Sequence, residues 1–244
     1  MLLSVIIFLL MTVLILRRII IKLQRTDDAD TFFEYGNSQI IGQEDFQNDY
    51  FSVLTDNSNI LAVIADGMSN KKAGKYPAVV AVEVFKFNFL KKKYRRNTRN
   101  FFSDNYEEIT HQLSTSNYTG KIRCTMLSTL ICNGSLYWSS IGNCKLFLFR
   151  NGELITVNNI TLNKEQFGKI SLDNEDIFLL CTHGAHTVLG EMEIINILLN
   201  EDMHPYDKAL DLTRRIQNKN FDYQKNATII ILENLLGKVT MLGE

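Results

Sequence analysis

Along this chain the apolar residues gather in short blocks bounded by turn-forming residues, a spacing that belongs to strands. Blocks at 50–54, 59–65, 126–132, 136–141, 145–149, 177–181 and 228–232 are of strand length. Asn133-Gly134 and Asn151-Gly152 fall between such blocks. An Asn-Gly pair supplies the positive φ angles of a tight two-residue turn, so both predict hairpins and hence antiparallel sheet. Stretches with helical spacing fill the intervals at 78–93, 106–114, 191–200 and 206–218. The last of these follows Pro205, whose fixed φ suits a helical first turn. Runs of strands separated by a few long helices predict an α+β fold of packed layers.

The N-terminus has a different pattern. Residues 2–16 are uncharged and almost wholly apolar, Ile19, Ile20 and Ile21 extend the stretch, and Arg17, Arg18, Lys22 and Arg25 follow it. The arginines can snorkel to lipid headgroups, so residues 2–21 read as a single-pass membrane anchor. A cleaved signal peptide would instead place positive charge before the apolar core and small residues after it. By the positive-inside rule the basic cluster keeps the rest of the chain in the cytoplasm, at the cell membrane. Residues 26–37, with Asp27, Asp28, Asp30 and Glu34, read as a short polar linker. The chain therefore divides into an anchor with its basic stop (1–25), the linker (26–37), one domain (38–235) and a tail (236–244).

Composition fits that division, since 244 residues with 45% apolar content can bury one full core. A net charge of −1 argues against a general nucleic-acid binder, which needs a basic excess to neutralise phosphates. Cys124, Cys132, Cys144 and Cys181 lie inside strand-like blocks without paired spacing, and read as small buried hydrophobes in a reducing compartment. Lys86, Lys91, Lys92, Lys93, Arg95, Arg96 and Arg99 form a basic run interleaved with Phe87, Phe89, Leu90 and Tyr94. A solvated helix end is one reading. Contact of Lys91, Lys92, Lys93, Arg95 and Arg96 with an anionic lipid leaflet, which the anchor would hold close, is the alternative to that leading reading.

Five segments carry candidate chemistry, in a fixed order: Ile41-Gly42-Gln43-Glu44-Asp45-Phe46-Gln47-Asn48-Asp49, the stretch LAVIADGMSNKKAG from Leu61, the hairpin ending IGNCKLFLFRNG at Gly152, IFLLCTHGAHTVLGEMEI from Ile177, and KNATIIIL from Lys225. In this order they resemble the protein phosphatase 2C (PPM-type) family. The resemblance runs from about Ile40 to Glu233, and its strongest match is the strand ending in Asp66-Gly67. It implies a four-layer αββα sandwich, two antiparallel sheets face to face with helices outside. It also implies a mechanism in which two divalent metals activate a water that attacks phosphorus. Asp66 and the Gly67 carbonyl then correspond to metal ligands, and Asp49 is retained from the opening motif.

Four positions depart from the family pattern. Glu44 stands at the phosphate-gripping arginine, Asn143 at the acid of a third metal, and His183 and Lys225 at two further metal-binding acids. A carboxylate at 44 repels phosphate, and a protonated ammonium at 225 has no lone pair to offer a cation. The ammonium of Lys225 is expected to pair with Asp66 where a metal would stand. No intact catalytic set remains, Asp66, Gly67 and Asp49 are vestigial or weak ligands, and no cofactor is expected. The leading reading is a pseudophosphatase, a membrane-anchored cytoplasmic regulatory or phosphoprotein-binding module whose partner is a Ser/Thr kinase, a phosphoprotein or a membrane complex. A weak Mn²⁺- or Mg²⁺-dependent Ser/Thr phosphatase using Asp66, Asp49 and His183 is the enzymatic alternative. A scaffold subunit of a membrane assembly is the third. His183 and His186 are three apart without a further clear ligand, which favours an ordinary histidine pair over zinc.

Overall fold

The computed structural model describes residues 33–68, 74–116 and 124–235, with the side chains of 161–163 excepted. The anchor and tail expectations fall on residues 1–25 and 236–244, outside the described residues. Among the described residues no helix is long and apolar enough to cross a membrane.

Among the described residues, ten strands form two five-stranded antiparallel sheets. One has the order β1 (Phe33–Ile40), β10 (Ala227–Asn234), β9 (Ile177–Cys181), β6 (Lys145–Arg150), β7 (Glu153–Thr156). The other runs β2 (Asp49–Asp56), β3 (Asn59–Gly67), β4 (Cys124–Cys132), β5 (Ser135–Gly142), β8 (Thr161–Ser171). Helices α1 (Lys75–Leu90) and α2 (Thr98–Thr115) cover the second sheet, and the short turn α3 (His183–His186) with α4 (Glu191–Leu198) and α5 (Pro205–Asn218) covers the first.

The strand period of two explains the layers. On β3, Leu61, Val63 and Ala65 face α1 and α2, whereas Ile60, Ala62 and Ile64 face the other sheet. On β10, Ile229 and Ile231 face the helices while Ile230 and Leu232 meet the opposite sheet. A strand buried on both faces reads as an unbroken apolar run, which is why these blocks stand out in the sequence. Both predicted hairpins form: β4 turns into β5 at Asn133-Gly134 and β6 into β7 at Asn151-Gly152, with all four residues at positive φ. The αββα order implied by the family resemblance is the one the chain adopts.

Three boundaries differ from the sequence reading. Strand β1 starts at Phe33, inside the stretch 26–37 read as a linker. As an edge strand it has only one neighbour, β10, and its polar side chains conceal it. Helix α1 lies three residues earlier than the expected 78–93, because Lys92 adopts a left-handed conformation that stops it. Helix α2 starts at Thr98, capped by the Asn97 side chain, eight residues before the expected start.

Candidate functional site

One end of the sandwich gathers the chemistry. Asp49 opens β2 and Asp66 is its Cα partner near the end of β3, so the two carboxyls lie side by side. Asp49 is almost wholly buried, and its Oδ2 accepts hydrogen bonds from Thr182 Oγ1 at 2.8 Å and Thr228 Oγ1 at 2.7 Å. Those threonines belong to the opposite sheet and its margin, and Thr228 N donates to Thr182 Oγ1 at 2.9 Å. Gln39 Nε2 adds a bond to Thr228 Oγ1 at 2.9 Å. Asp49 therefore clamps the two sheets together, while its Oδ1 has no hydrogen-bond partner among the described residues.

Above the clamp is a cavity of about 230 Å³ lined by Glu44, Asp66, Asn143, His183, Lys225 and Asn226, with Gly67, Met68 and Thr125 completing the wall. Close backbone packing builds it. A Cβ at Gly67 would come 1.9 Å from the Gly74 carbonyl oxygen, and one at Gly184 would come 2.1 Å from that of Asn226. Gly42 has φ +67°, and its turn lets Gln43 N donate to Gln224 O at 2.8 Å. That contact lays loop 41–48 against loop 224–226 and brings Glu44 Oε2 to the Asn226 amide, 3.2 Å away. The sequence-singled residues Glu44, Asp66, Gly67, Asn143, His183 and Lys225 thus converge, with Asp49 directly beneath. Sequence reasoning missed Thr125, Asn226, Thr182 and Thr228; the Asn-x-Thr of KNATIIIL was the signal for two of them.

Lys225 corrects the expectation of an ion pair. Its side chain is exposed at the cavity rim, and among the described residues it forms no ion pair with Asp66. An ammonium on an exposed loop keeps its hydration, which a single half-buried carboxylate does not outbid. It acts through its field instead. Asp66 is pushed up to about 6 by burial and by Glu44, with Lys225 pulling it back. Asp49 is pushed up to about 7, first by burial and then by the charge of Asp66. Two carboxyls this close hold on to a proton as neutral pH is approached.

His183 is held below its ordinary range by burial and by Lys225, so its ring is neutral at pH 7. His186 is likewise lowered by burial; its Nε2 meets Asn143 O at 2.8 Å and its ring lies edge-on to His183 at 5.3 Å. Asn143 Oδ1, Asn226 Oδ1 and His183 Nδ1, on residues that line the cavity, are buried and have no hydrogen-bond partner among the described residues. All four cysteines are free, and burial raises each thiol.

The residues do not fit a pair of hard divalent cations. Such ions need several carboxylate oxygens at once, whereas here Asp66 is flanked by an ammonium and two neutral side chains. The Glu44 carboxylate is turned to a backbone amide. Among the described residues no group of three or more His, Cys, Asp or Glu side chains could hold a metal ion.

No protein-family model matches the chain, and no curated protein sequence does. Solved structures do match. A serine/threonine phosphatase of S. agalactiae is 16% identical with a TM-score of 0.70, covering 82% of this chain and 99% of that one. PppA, described as a key regulatory component of T6SS in Pseudomonas aeruginosa, is 16% identical with a TM-score of 0.66 over 84% and 99%. The serine/threonine phosphatase PstP/Ppp of Mycobacterium tuberculosis is 15% identical with a TM-score of 0.68 over 83% and 99%; the catalytic domain of PstP has been solved in complex with 2 manganese ions. At this identity the likeness establishes the fold: the chain is built on the two-sheet sandwich of bacterial serine/threonine phosphatases.

Proposed function

We propose that this chain is a pseudophosphatase, a regulatory or binding module that keeps the phosphatase 2C architecture without its two-metal chemistry. One observation carries the reading: the cavity has a carboxylate, Glu44, where the family resemblance calls for a phosphate-gripping arginine, and an ammonium, Lys225, at its rim where it calls for a metal-binding acid. Phosphate dianion meets repulsion from Glu44 and Asp66, and a cation meets repulsion from Lys225. The Asp49 clamp supports the same reading, because threonine hydroxyls occupy one oxygen of a carboxylate that the family resemblance assigns to metal. With residues 2–21 as an anchor, the module sits on the cytoplasmic side of the cell membrane, where a kinase, a phosphoprotein or a membrane complex is its partner.

The enzymatic alternative draws on one feature, the His183 ring, held below its ordinary range by burial and by Lys225, on a residue that lines the cavity together with Asp66. A neutral imidazole is a ligand that Mn²⁺ accepts. One assay separates the two. The full chain in nanodiscs, given an aryl phosphate or a phosphothreonine peptide with Mn²⁺ or Mg²⁺, is expected to show no turnover. Metal-dependent turnover that vanishes in Asp66→Ala establishes the enzyme and rejects the pseudophosphatase.

A further inference from the structure

The end of the sandwich opposite the candidate site carries a surface that the functional reading leaves unused. Position along the strands defines this end. Asp49 and Asp66 lie at one end of the β2–β3 ladder and the Asp56–Asn59 turn at the other; Ile60 pairs with Ile131, so the β4–β5 turn is also at the far end. In the facing sheet, Ala227 lies near the site and Asn234, paired with Phe33, lies away from it. Gln39 ties the site ends of both sheets together through Asp49 O and Thr228. Helix α1 starts beside Gly67 and ends at Leu90, and the chain after it reaches the far turn, where Lys92 Nζ and Tyr94 Oη donate to Asp56. Eight residues of strand separate the ends by roughly 25 Å.

On that far end, Phe87 and Leu90, one helical turn apart on α1, are 55% and 59% exposed. Lys91 Nζ lies 5.5 Å from the centre of the Phe87 ring, and Lys93 and Arg96 follow in the turn after the helix; all three are exposed and in no ion pair among the described residues. Of the nearby acids, Asp56 holds Lys92 and Arg95, Glu83 holds Lys86, and Glu108 on α2 accepts from Asn88. Beside the patch, a cleft of about 520 Å³ is lined by Arg95, Arg96, Asn57, Asn97 and Asn133, side chains that offer donors to an anion. Phe33, where the chain coming from the apolar stretch 2–21 enters the fold, is on the same end.

We propose that this end of the domain docks on an anionic lipid surface, with Phe87 and Leu90 entering the headgroup boundary and Lys91, Lys93 and Arg96 binding lipid phosphates. Exposed apolar side chains ringed by lysine and arginine are the composition of an interfacial contact. Chain entry at this end brings the patch to the bilayer, and the candidate site then faces the cytoplasm, away from lipid. The proposal takes the nearness of the bilayer from the anchor reading, and the test keeps the two apart.

The full chain carrying Phe87→Trp is placed in vesicles with brominated acyl chains, either all phosphatidylcholine or with about 30% phosphatidylglycerol. The chain's native tryptophan, Trp138, lies between the sheets and serves as the unquenched reference. Emission from the introduced indole is expected to fall by about half in the anionic vesicles and to stay unchanged in the neutral ones. Lys91→Glu, Lys93→Glu and Arg96→Glu together are expected to abolish the quenching. No quenching in anionic vesicles, or equal quenching in both, overturns the proposal. So does a dimer in detergent that Phe87→Glu and Leu90→Glu dissolve, which assigns the patch to a second copy. An alkaline wash separately reports the anchor: a chain that washes off has none, and the quenching measured before the wash still decides the patch.

Discussion

Two buried charge clusters in this molecule are handled in opposite ways. Lys208 on α5 is fully buried and reaches Glu233 on β10 at 2.8 Å, so each desolvated charge has its counter-charge. Asp49 and Asp66 lie next to each other with the nearest cation, Lys225, at a distance, and they answer burial by holding a proton instead. The first cluster fixes how α5 sits on its sheet. The second is a place where like charges are kept together at a cost, the mark of a site shaped for something other than stability.

Breaking the paired cluster gives the largest effect. Lys208→Met leaves Glu233 charged and buried, and is expected to lower unfolding free energy by about 3–5 kcal/mol in urea titrations. Lys208→Met with Glu233→Leu is expected to regain most of that loss, since an apolar pair of similar volume replaces the ions. A double variant as unstable as the single one rejects the ion-pair assignment.

The unpaired cluster sharpens the contrast through metal. Mn²⁺ is expected to leave the melting temperature of the native chain unchanged. His183→Asp with Lys225→Asp adds two carboxylates to those of Glu44 and Asp66 about the cavity, so metal at about 100 times its Kd is expected to return roughly 2.7 kcal/mol to the folded state. A large metal-induced rise in the native chain contradicts the misfit described for this cavity.

The smallest effect is in pH. Asp49 holds its proton up to about 7 in the folded chain, above the ordinary carboxylate range of the unfolded one. Between those values the folded state binds the extra proton, so this carboxyl's contribution to stability falls as pH rises from about 4 through about 7. Asp49→Asn keeps an oxygen for the threonine hydroxyls and has no charge to lose. Relative to the native chain it is therefore expected to gain about 2.5 kcal/mol on going from pH 5 to pH 8, read from paired unfolding curves. A difference that is flat with pH contradicts the raised carboxyl.

How much of this was legible in the sequence depended on the environment of each strand. The central strands β3, β4, β9 and β10 are apolar on both faces and were found by pattern alone. Edge strands β1 and β8 were not: FEYGNSQI and TLNKEQFGKIS carry the polar side chains an exposed edge requires, and no period separates them from loop. At the site, the motif positions Glu44, Asn143, His183 and Lys225 converged as expected, because each sits at the same end of its strand or in the adjoining loop. The Asp49 clamp was invisible, since it joins residues 133 and 179 positions apart through side chains that only the packed sheets align. The failure of Lys225 to pair with Asp66 was equally hidden, because hydration of an exposed loop leaves no trace in residue type.

The place of β10 has a consequence for how the chain is made. β10 lies between β1 and β9, yet it follows every other strand in sequence. Strands β2, β3 and β4 each pair with their immediate successor, so three of the four pairings in that sheet can close as each strand leaves the ribosome. In the other sheet β6–β7 and β9–β10 can close in the same way, but β1 cannot. During synthesis β1 waits as an open edge until Ala227–Asn234 emerges, at about 5–20 residues per second a delay of roughly ten to forty seconds. For that interval β1 is an unpaired strand close in sequence to the apolar stretch 2–21, which makes it the point where aggregation or a chaperone meets this chain first.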